Sequence, residues 1–310
     1  MFKDGAQEAL GASGCAQHDE IKSAVPSKLD GKKLQLQLKH PEIPQYLVVD
    51  LSLDYVHDEQ EQVFFHHMVG TGGNTLAGTL ARSGAGYDLR QLTMQKGYRS
   101  GDASPLEAKG RVLFYGHNLF GLPEEEGMAV KYVTMLRHPY ERLISDHFWR
   151  RRHENRLDRL HGFYRLVEES EHLEFYIHHC GDLNYRNRAH FHLDECSQVP
   201  NKKAFALAMQ NLVSKFLVVG IMEMFEESLF LVAHRIGLRC VAPWWQFRHP
   251  KSKIRPSYFD LPRRIREGIA EKCKHDVVLY ETWRECLENK IKESDFAESL
   301  FAYCENAQAV

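Results

Sequence analysis

One stretch constrains the fold of this chain more than any other: Val63-Phe64-Phe65-His66-His67-Met68-Val69-Gly70-Thr71-Gly72-Gly73-Asn74-Thr75-Leu76. An apolar, aromatic run of strand character passes into a glycine-rich turn. Leu76, Ala77, Leu80 and Ala81 then follow at helical spacing and stop at Gly84. Strand, glycine turn and helix together aim several backbone N–H groups and a helix N-terminus at one place, which suits an anion. Thr71, Asn74 and Thr75 add side-chain donors there. No Lys-Ser or Lys-Thr follows the glycines, so the turn is not a Walker A loop. Thr75 stands where a dinucleotide fingerprint has its third glycine. Taken alone, the turn is equally compatible with a tight strand-to-helix connection.

The same alternation recurs downstream. Residues 84–110 read as loop and short helix, and Arg111–His117 as a second apolar strand ending in Gly116-His117. Lys131–Leu136 is a third strand, running into Arg137-His138-Pro139. Pro139 suits the first turn of a helix whose buried face carries Leu143, Ile144 and Phe148. Helices are expected over 157–180, 204–213, 224–236 and 261–292, with a fourth strand at Lys215–Gly220. Trp244–Tyr258 reads as a loop rich in cations and prolines. Strands alternating with helices predict an α/β fold: a central parallel sheet flanked by helices on both faces. Ligands gather at the C-terminal strand ends of such sheets. Here those ends deliver the Gly70–Thr75 turn, Gly116-His117, Arg137 and Gly220.

Ahead of this domain (58–310), residues 1–30 are expected to be a flexible lead-in and 31–57 a β-hairpin packed on the main domain. Leu34, Leu36 and Leu38 alternate with polar residues, and Tyr46–Leu53 forms the second strand. At 310 residues, 43% of them apolar, the chain can bury one large core or two small ones. A net charge of -2 argues against duplex nucleic acid as a partner, while leaving room for a local basic patch. The seven cysteines include no CxxC pair, which fits free thiols in a reducing compartment; Cys180 and Cys196 could pair in a secreted protein. No apolar run approaches a membrane span and Met1-Phe2-Lys3-Asp4 does not open a signal peptide. The expectation is a soluble, cytoplasmic chain; a Golgi-lumenal protein without its anchor reads the same. His178, His179, Cys180, His190, His192 and Cys196 match no standard zinc spacing, so no metal is expected.

Together these segments resemble the P-loop-like sulfotransferases, in particular the carbohydrate branch that includes the heparan sulfate O-sulfotransferases. The resemblance runs from about residue 62 to 290 and implies a P-loop-like three-layer fold. It also implies transfer of a sulfuryl group from 3'-phosphoadenosine 5'-phosphosulfate (PAPS) to a hydroxyl acceptor, with adenosine 3',5'-bisphosphate as product. Gly70-Thr71-Gly72-Gly73-Asn74-Thr75 is similar to the family's 5'-phosphosulfate loop. Leu136-Arg137-His138-Pro139-Tyr140-Glu141-Arg142-Leu143-Ile144-Ser145 is similar to its 3'-phosphate motif, with Arg137 and Ser145 as ligands. Tyr115-Gly116-His117 is similar to the Gly-His pair that supplies a catalytic base, and weaker echoes lie at Asn184–Arg188 and Val218–Glu223. Where the family has lysine before Thr-Gly-Gly, this chain has Gly70. His66, His67 or a loop lysine fills that role, or the protein binds nucleotide or glycan without transferring sulfate.

Each assignment has a plainer counterpart. Arg137 can fork onto a phosphate or pair with Glu141, four positions on along one helix face. His117 has an imidazole suited to deprotonating a hydroxyl, or is structural like most of the 18 histidines. The run containing Arg150 and Arg151, with Arg186 and Arg188 further on, can be a landing surface for an acidic glycan or a solvated face. Lys251, Lys253 and Arg255 can close over the nucleotide or lie in an exposed linker. A small-molecule hydroxyl or amine is the alternative acceptor, and the missing Lys-Ser/Thr disfavours a P-loop kinase.

Overall fold

Strands that are apolar at consecutive positions, rather than at alternate ones, belong in a sheet covered on both faces. The computed structural model bears this out; it describes residues 25–30, 33–37, 46–50, 62–82, 88–91, 112–117, 120–125, 128–181, 201–238, 255–293, 295–300 and 302. Three strands come first: β1 (Val25–Asp30), β2 (Lys33–Gln37) and β3 (Tyr46–Asp50). Then follow β4 (Gln62–His66), α1 (Gly73–Arg82), β5 (Asp88–Gln91), β6 (Val112–Gly116), α2 (Leu122–Glu125), β7 (Val130–Leu136) and α3 (Pro139–Arg150). The remainder is α4 (Arg156–Glu169), α5 (Tyr176–Gly181), α6 (Asn201–Ser214), β8 (Phe216–Ile221), α7 (Phe225–Arg235), α8 (Arg263–Lys272) and α9 (Lys274–Ile291). β4 to β8 form one sheet in the order β5-β6-β4-β7-β8, with every pairing parallel. The fold is α/β, with a central parallel sheet and helices packed against it.

Burial follows this arrangement. β8 is buried at all six positions, and Val63, Phe64 and Phe65 of β4 are buried in succession. Register places one aromatic row across four strands: Phe114 stands beside Phe64, Phe64 beside Tyr132, and Tyr132 beside Phe216. Their ring centroids lie 4.9, 6.2 and 5.3 Å apart, within the range of favourable aromatic contact. A second, smaller core forms where α3, α4 and α8 meet, around Ile144, Phe163 and Ile265.

Four features depart from the sequence expectations. Residues 1–30 were expected to be flexible, yet β1 occupies Val25–Asp30 and joins β2 and β3 in an antiparallel sheet of order β1-β2-β3. β1 is an edge strand, which tolerates Pro26 because an edge position does not require the N–H that proline lacks; the register shifts between Pro26 and Lys28. β5 lies in the stretch expected as loop and short helix. A short edge strand is held by pairing with β6, so Asp88-Leu89-Arg90-Gln91 needs no apolar pattern of its own. The expected helices 157–180 and 261–292 are each two helices, and one pair of carboxylates explains both breaks. Glu174 accepts from the N–H groups of His275 (2.9 Å) and Asp276 (2.8 Å), capping the start of α9. Asp276 in turn accepts from the N–H groups of Phe175 (2.6 Å), Tyr176 (3.0 Å) and Ile177 (3.0 Å), capping the start of α5. Helix starts expose unpaired N–H groups that need such acceptors.

The topology also locates a crevice. From β4 the chain leaves through α1 toward β5 on one side; from β7 it leaves through α3 and ends at β8 on the other. β4 and β7 are neighbours, so the loops after them diverge, and ligands bind at such a switch point.

Candidate functional site

The turn after β4 owes its shape to two glycines in the left-handed region, Gly70 (φ 82°) and Gly72 (φ 81°). A Cβ on Gly72 would stand 2.2 Å from Met222 Sδ, and one on Gly73 would stand 2.0 Å from His67 Cδ2. Neighbours therefore approach the turn too closely for side chains. Thr75 and Leu76 donate backbone N–H groups to Gly72 O at 2.9 and 3.2 Å, closing the first helical turn. The N–H groups of Gly72, Gly73 and Asn74, at the start of α1, donate to nothing among the described residues. Two of the expected contacts turn inward instead: the buried Thr71 hydroxyl donates to Met68 O at 2.8 Å, and the Thr75 N–H is the one taken by Gly72.

Arg137 sits just past the end of β7 and reaches across the crevice. Its Nη1 donates to Gly70 O at 3.2 Å, while Nη2 lies 3.6 Å from Glu141. The ion pair with Glu141 is thus formed, and the same guanidinium also reaches the glycine turn. Arg255 stands 3.7 Å from the same carboxylate. Two guanidinium groups share one carboxylate beside the glycine turn, leaving a net positive charge. Burial, and then the neighbouring Arg137, pull Arg255 below its usual value. Ser145 lies two turns along α3, half-buried, and its hydroxyl makes no hydrogen bond within the described residues.

A second group repeats this pattern on α3. Asp146 accepts from Arg150 Nε at 2.7 Å and lies 3.9 Å from Arg142 Nη1. Arg142 is 1% exposed, with its guanidinium 3.7 Å from the Phe175 ring centroid. Its Nε and Nη1 make no hydrogen bond among the described residues. The Cβ that Gly70 lacks would meet Arg142 O at 3.2 Å and Arg142 Cγ at 3.3 Å. Arg142 therefore fills the space a lysine side chain would need at position 70.

His117 completes the rim. Its Nδ1 lies 2.7 Å from His67 O, and its ring stacks on that of His67 with centroids 4.2 Å apart. A carbonyl only accepts, so Nδ1 carries the proton and Nε2 is the basic nitrogen of the neutral ring. Burial holds His117 below the usual imidazole value, opposed by the His67 carbonyl and by Asp146. His66 and His67 are pushed down to about 3, chiefly by burial and then by His117, so neither is a cation at neutral pH. The histidines that could have replaced the lysine are uncharged.

The turn, His117, Arg137, Ser145 and Arg255 are thus drawn to one end of the sheet. Arg151 is committed elsewhere, to Glu154 at 3.0 Å and against Gly162. Gly220 is a packing glycine: a Cβ there would stand 2.4 Å from Met135 Sδ. Lys251, Lys253, Arg186 and Arg188 lie outside the described residues, as do His190, His192 and Cys196. Cys180 is a buried free thiol, and no group of described residues could hold a metal ion. Sequence reasoning passed over Arg142 and Asp146, although their spacing of four, continued by Arg150, was a readable signal of one helix face. No helix among the described residues is long and apolar enough to cross a membrane.

No protein-family model matches this chain, and no curated protein matches it significantly.

Proposed function

We propose that this protein is a P-loop-like sulfotransferase of three-layer architecture, moving the sulfuryl group of PAPS to a hydroxyl, most simply of a carbohydrate. The observation that carries the reading is the contact between Arg137 Nη1 and Gly70 O at 3.2 Å, spanning the β4–β7 crevice. It joins the two segments that the resemblance assigns to opposite ends of one nucleotide. In this reading the N–H groups of Gly72, Gly73 and Asn74 receive the 5'-phosphosulfate, and Arg137, Arg255 and Ser145 receive the 3'-phosphate. Paired arginines suit a phosphate because each presents a planar fork of donors.

In the transfer step the acceptor oxygen attacks sulfur as the bond from sulfur to the bridging phosphate oxygen breaks. The proton of the acceptor hydroxyl passes to His117 Nε2, and the electrons of the broken bond leave on adenosine 3',5'-bisphosphate. Charge spreads over peripheral oxygens, as in phosphoryl transfer, so positioning and electrostatics supply most of the catalysis. Arg150, joined to Asp146 near His117, is in this reading the cation that receives an anionic acceptor.

One observation favours binding without transfer. At position 70 a glycine in the left-handed region replaces the family's lysine, and the nearby Arg142 is too buried to touch a ligand. Sulfate transfer from PAPS to a glycan panel, with and without His117→Ala, separates the two readings. Transfer that the substitution abolishes supports the enzyme. Bisphosphate binding without transfer to any acceptor supports the binder. For the nucleotide itself, Arg137→Ala is expected to abolish most affinity for adenosine 3',5'-bisphosphate, and undiminished binding would overturn the 3'-phosphate assignment.

A further inference from the structure

Arg137 follows Leu136, the last residue of β7 in register with β8. Beyond that point no sheet partner among the described residues holds the backbone, yet it is held. The Tyr176 hydroxyl accepts from Arg137 N–H at 2.9 Å and donates to Arg137 C=O at 2.7 Å. One buried oxygen thus satisfies both backbone groups of the residue that crosses the crevice. Burial pushes this phenol above its ordinary value, which keeps the proton it donates. Tyr176 is the first residue of α5, and that helix start is pinned by Asp276 through the N–H groups of Phe175, Tyr176 and Ile177. Asp276 is pinned in turn by Glu174, which accepts its N–H at 2.8 Å. A continuous set of short hydrogen bonds therefore runs from the start of α9, through α5, to the backbone of Arg137.

We infer that Tyr176 is the positioning residue for Arg137: its hydroxyl, anchored through α5 to Asp276, sets where the guanidinium stands in the β4–β7 crevice. Its removal would leave the Arg137 N–H and C=O without their partner and free the two backbone dihedrals that aim the side chain. A forked guanidinium binds a phosphate well only in a narrow range of orientations, so a small backbone shift becomes a loss of affinity. This inference rests on the nucleotide site proposed above.

Titration calorimetry on the full chain tests it with two nucleotides, adenosine 3',5'-bisphosphate and adenosine 5'-monophosphate, which lacks only the 3'-phosphate. Tyr176→Phe is expected to weaken bisphosphate binding about tenfold while leaving the monophosphate within about twofold. In an Arg137→Ala background the same substitution is expected to have no further effect, because coupled residues are non-additive. Asp276→Asn, which keeps one acceptor oxygen at the start of α5, is expected to give a smaller loss with the same selectivity, and serves if Tyr176→Phe folds poorly. Equal loss for both nucleotides, or a loss that persists without Arg137, would show a merely structural role and overturn the inference. Bisphosphate binding that depends on Arg137 but ignores Tyr176 would overturn the inference alone. A wild-type chain that does not bind the bisphosphate would overturn the proposed function and this inference with it.

Discussion

The Nδ1 of His117 donates to the main-chain oxygen of His67 at 2.7 Å, and this one bond decides which face of the imidazole can act. With Nδ1 protonated, Nε2 is the nitrogen that would take the acceptor's proton in the proposed transfer. Burial holds His117 below its ordinary value of 6.5, so the neutral ring persists as pH falls through that value. The acid limb of the transfer rate is accordingly expected to be centred below pH 6.5. A profile of kcat against pH checks this, and His117→Ala is expected to lower kcat by about 10²–10⁴-fold with bisphosphate affinity retained. An acid limb centred above 6.5 would point to a different base.

Placing at position 70 the lysine of the sulfotransferases that the chain resembles is not expected to raise activity. Gly70 has φ 82°, and the space its side chain would enter is taken by Arg142 O and Cγ at 3.2 and 3.3 Å. Holding an L-residue in that conformation costs about 1–2 kcal/mol, and a second cation beside a buried arginine adds repulsion. Gly70→Lys should lower the urea midpoint more than Gly70→Ala does, and should weaken nucleotide binding. A gain in turnover from Gly70→Lys would mean that Arg142 yields its place.

Asp276 supports the site from a distance. Its carboxylate is the acceptor for three buried N–H groups at the start of α5. Each buried donor left unpaired costs about 1–3 kcal/mol, so Asp276→Ala is expected to cost about 3 kcal/mol or more. Urea unfolding at neutral pH measures this, with Asp276→Asn falling between the mutant and wild type. A change below about 1 kcal/mol would mean that water replaces the carboxylate without loss.

Acid should weaken the fold through its buried histidines. His66 and His67 lie at about 3 in the folded protein against 6.5 when exposed, so below 6.5 the unfolded chain binds more protons. Their contribution is complete above 6.5 and lost progressively as pH falls toward 3, about 2 kcal/mol for each group by pH 5. Asp276, pushed upward by burial and by Glu174, works in the opposite direction over part of that range. A comparison with His66→Phe isolates the histidine. Both His66 ring nitrogens are buried without a hydrogen-bond partner among the described residues, beside Phe120 and Phe216. The variant is expected to match or exceed wild-type stability at pH 7 and to show a shallower loss between pH 7 and 5. Parallel stability curves for the two proteins would contradict the assignment.

Much of the fold could be read locally. The parallel strands β4, β6, β7 and β8 were legible as short apolar runs, because a strand buried on both faces is apolar at consecutive positions. Pro139 marked the start of α3, since its missing N–H costs nothing there. β5 was not legible, because pairing with β6 holds it rather than any periodicity of its own. The breaks at Ser170–Phe175 and at Cys273 were equally hidden. Each helix end is capped by a carboxylate about a hundred residues away, Glu174 at one and Asp276 at the other.

The sequence by itself determined the ingredients of the site: a glycine turn after one strand, an arginine after another, a histidine after a third. These follow from local sterics and spacing, which short segments carry intact. Only the tertiary structure decided how they are arranged and partnered. Strand order set β4 beside β7 and brought Arg137 to Gly70. Packing turned the Thr71 hydroxyl inward, placed Arg142 in the space a lysine would need, and left His66 and His67 uncharged. The physical reason is that desolvation and hydrogen-bond partnership depend on which distant segments meet, and no window of the chain contains both sides of those contacts.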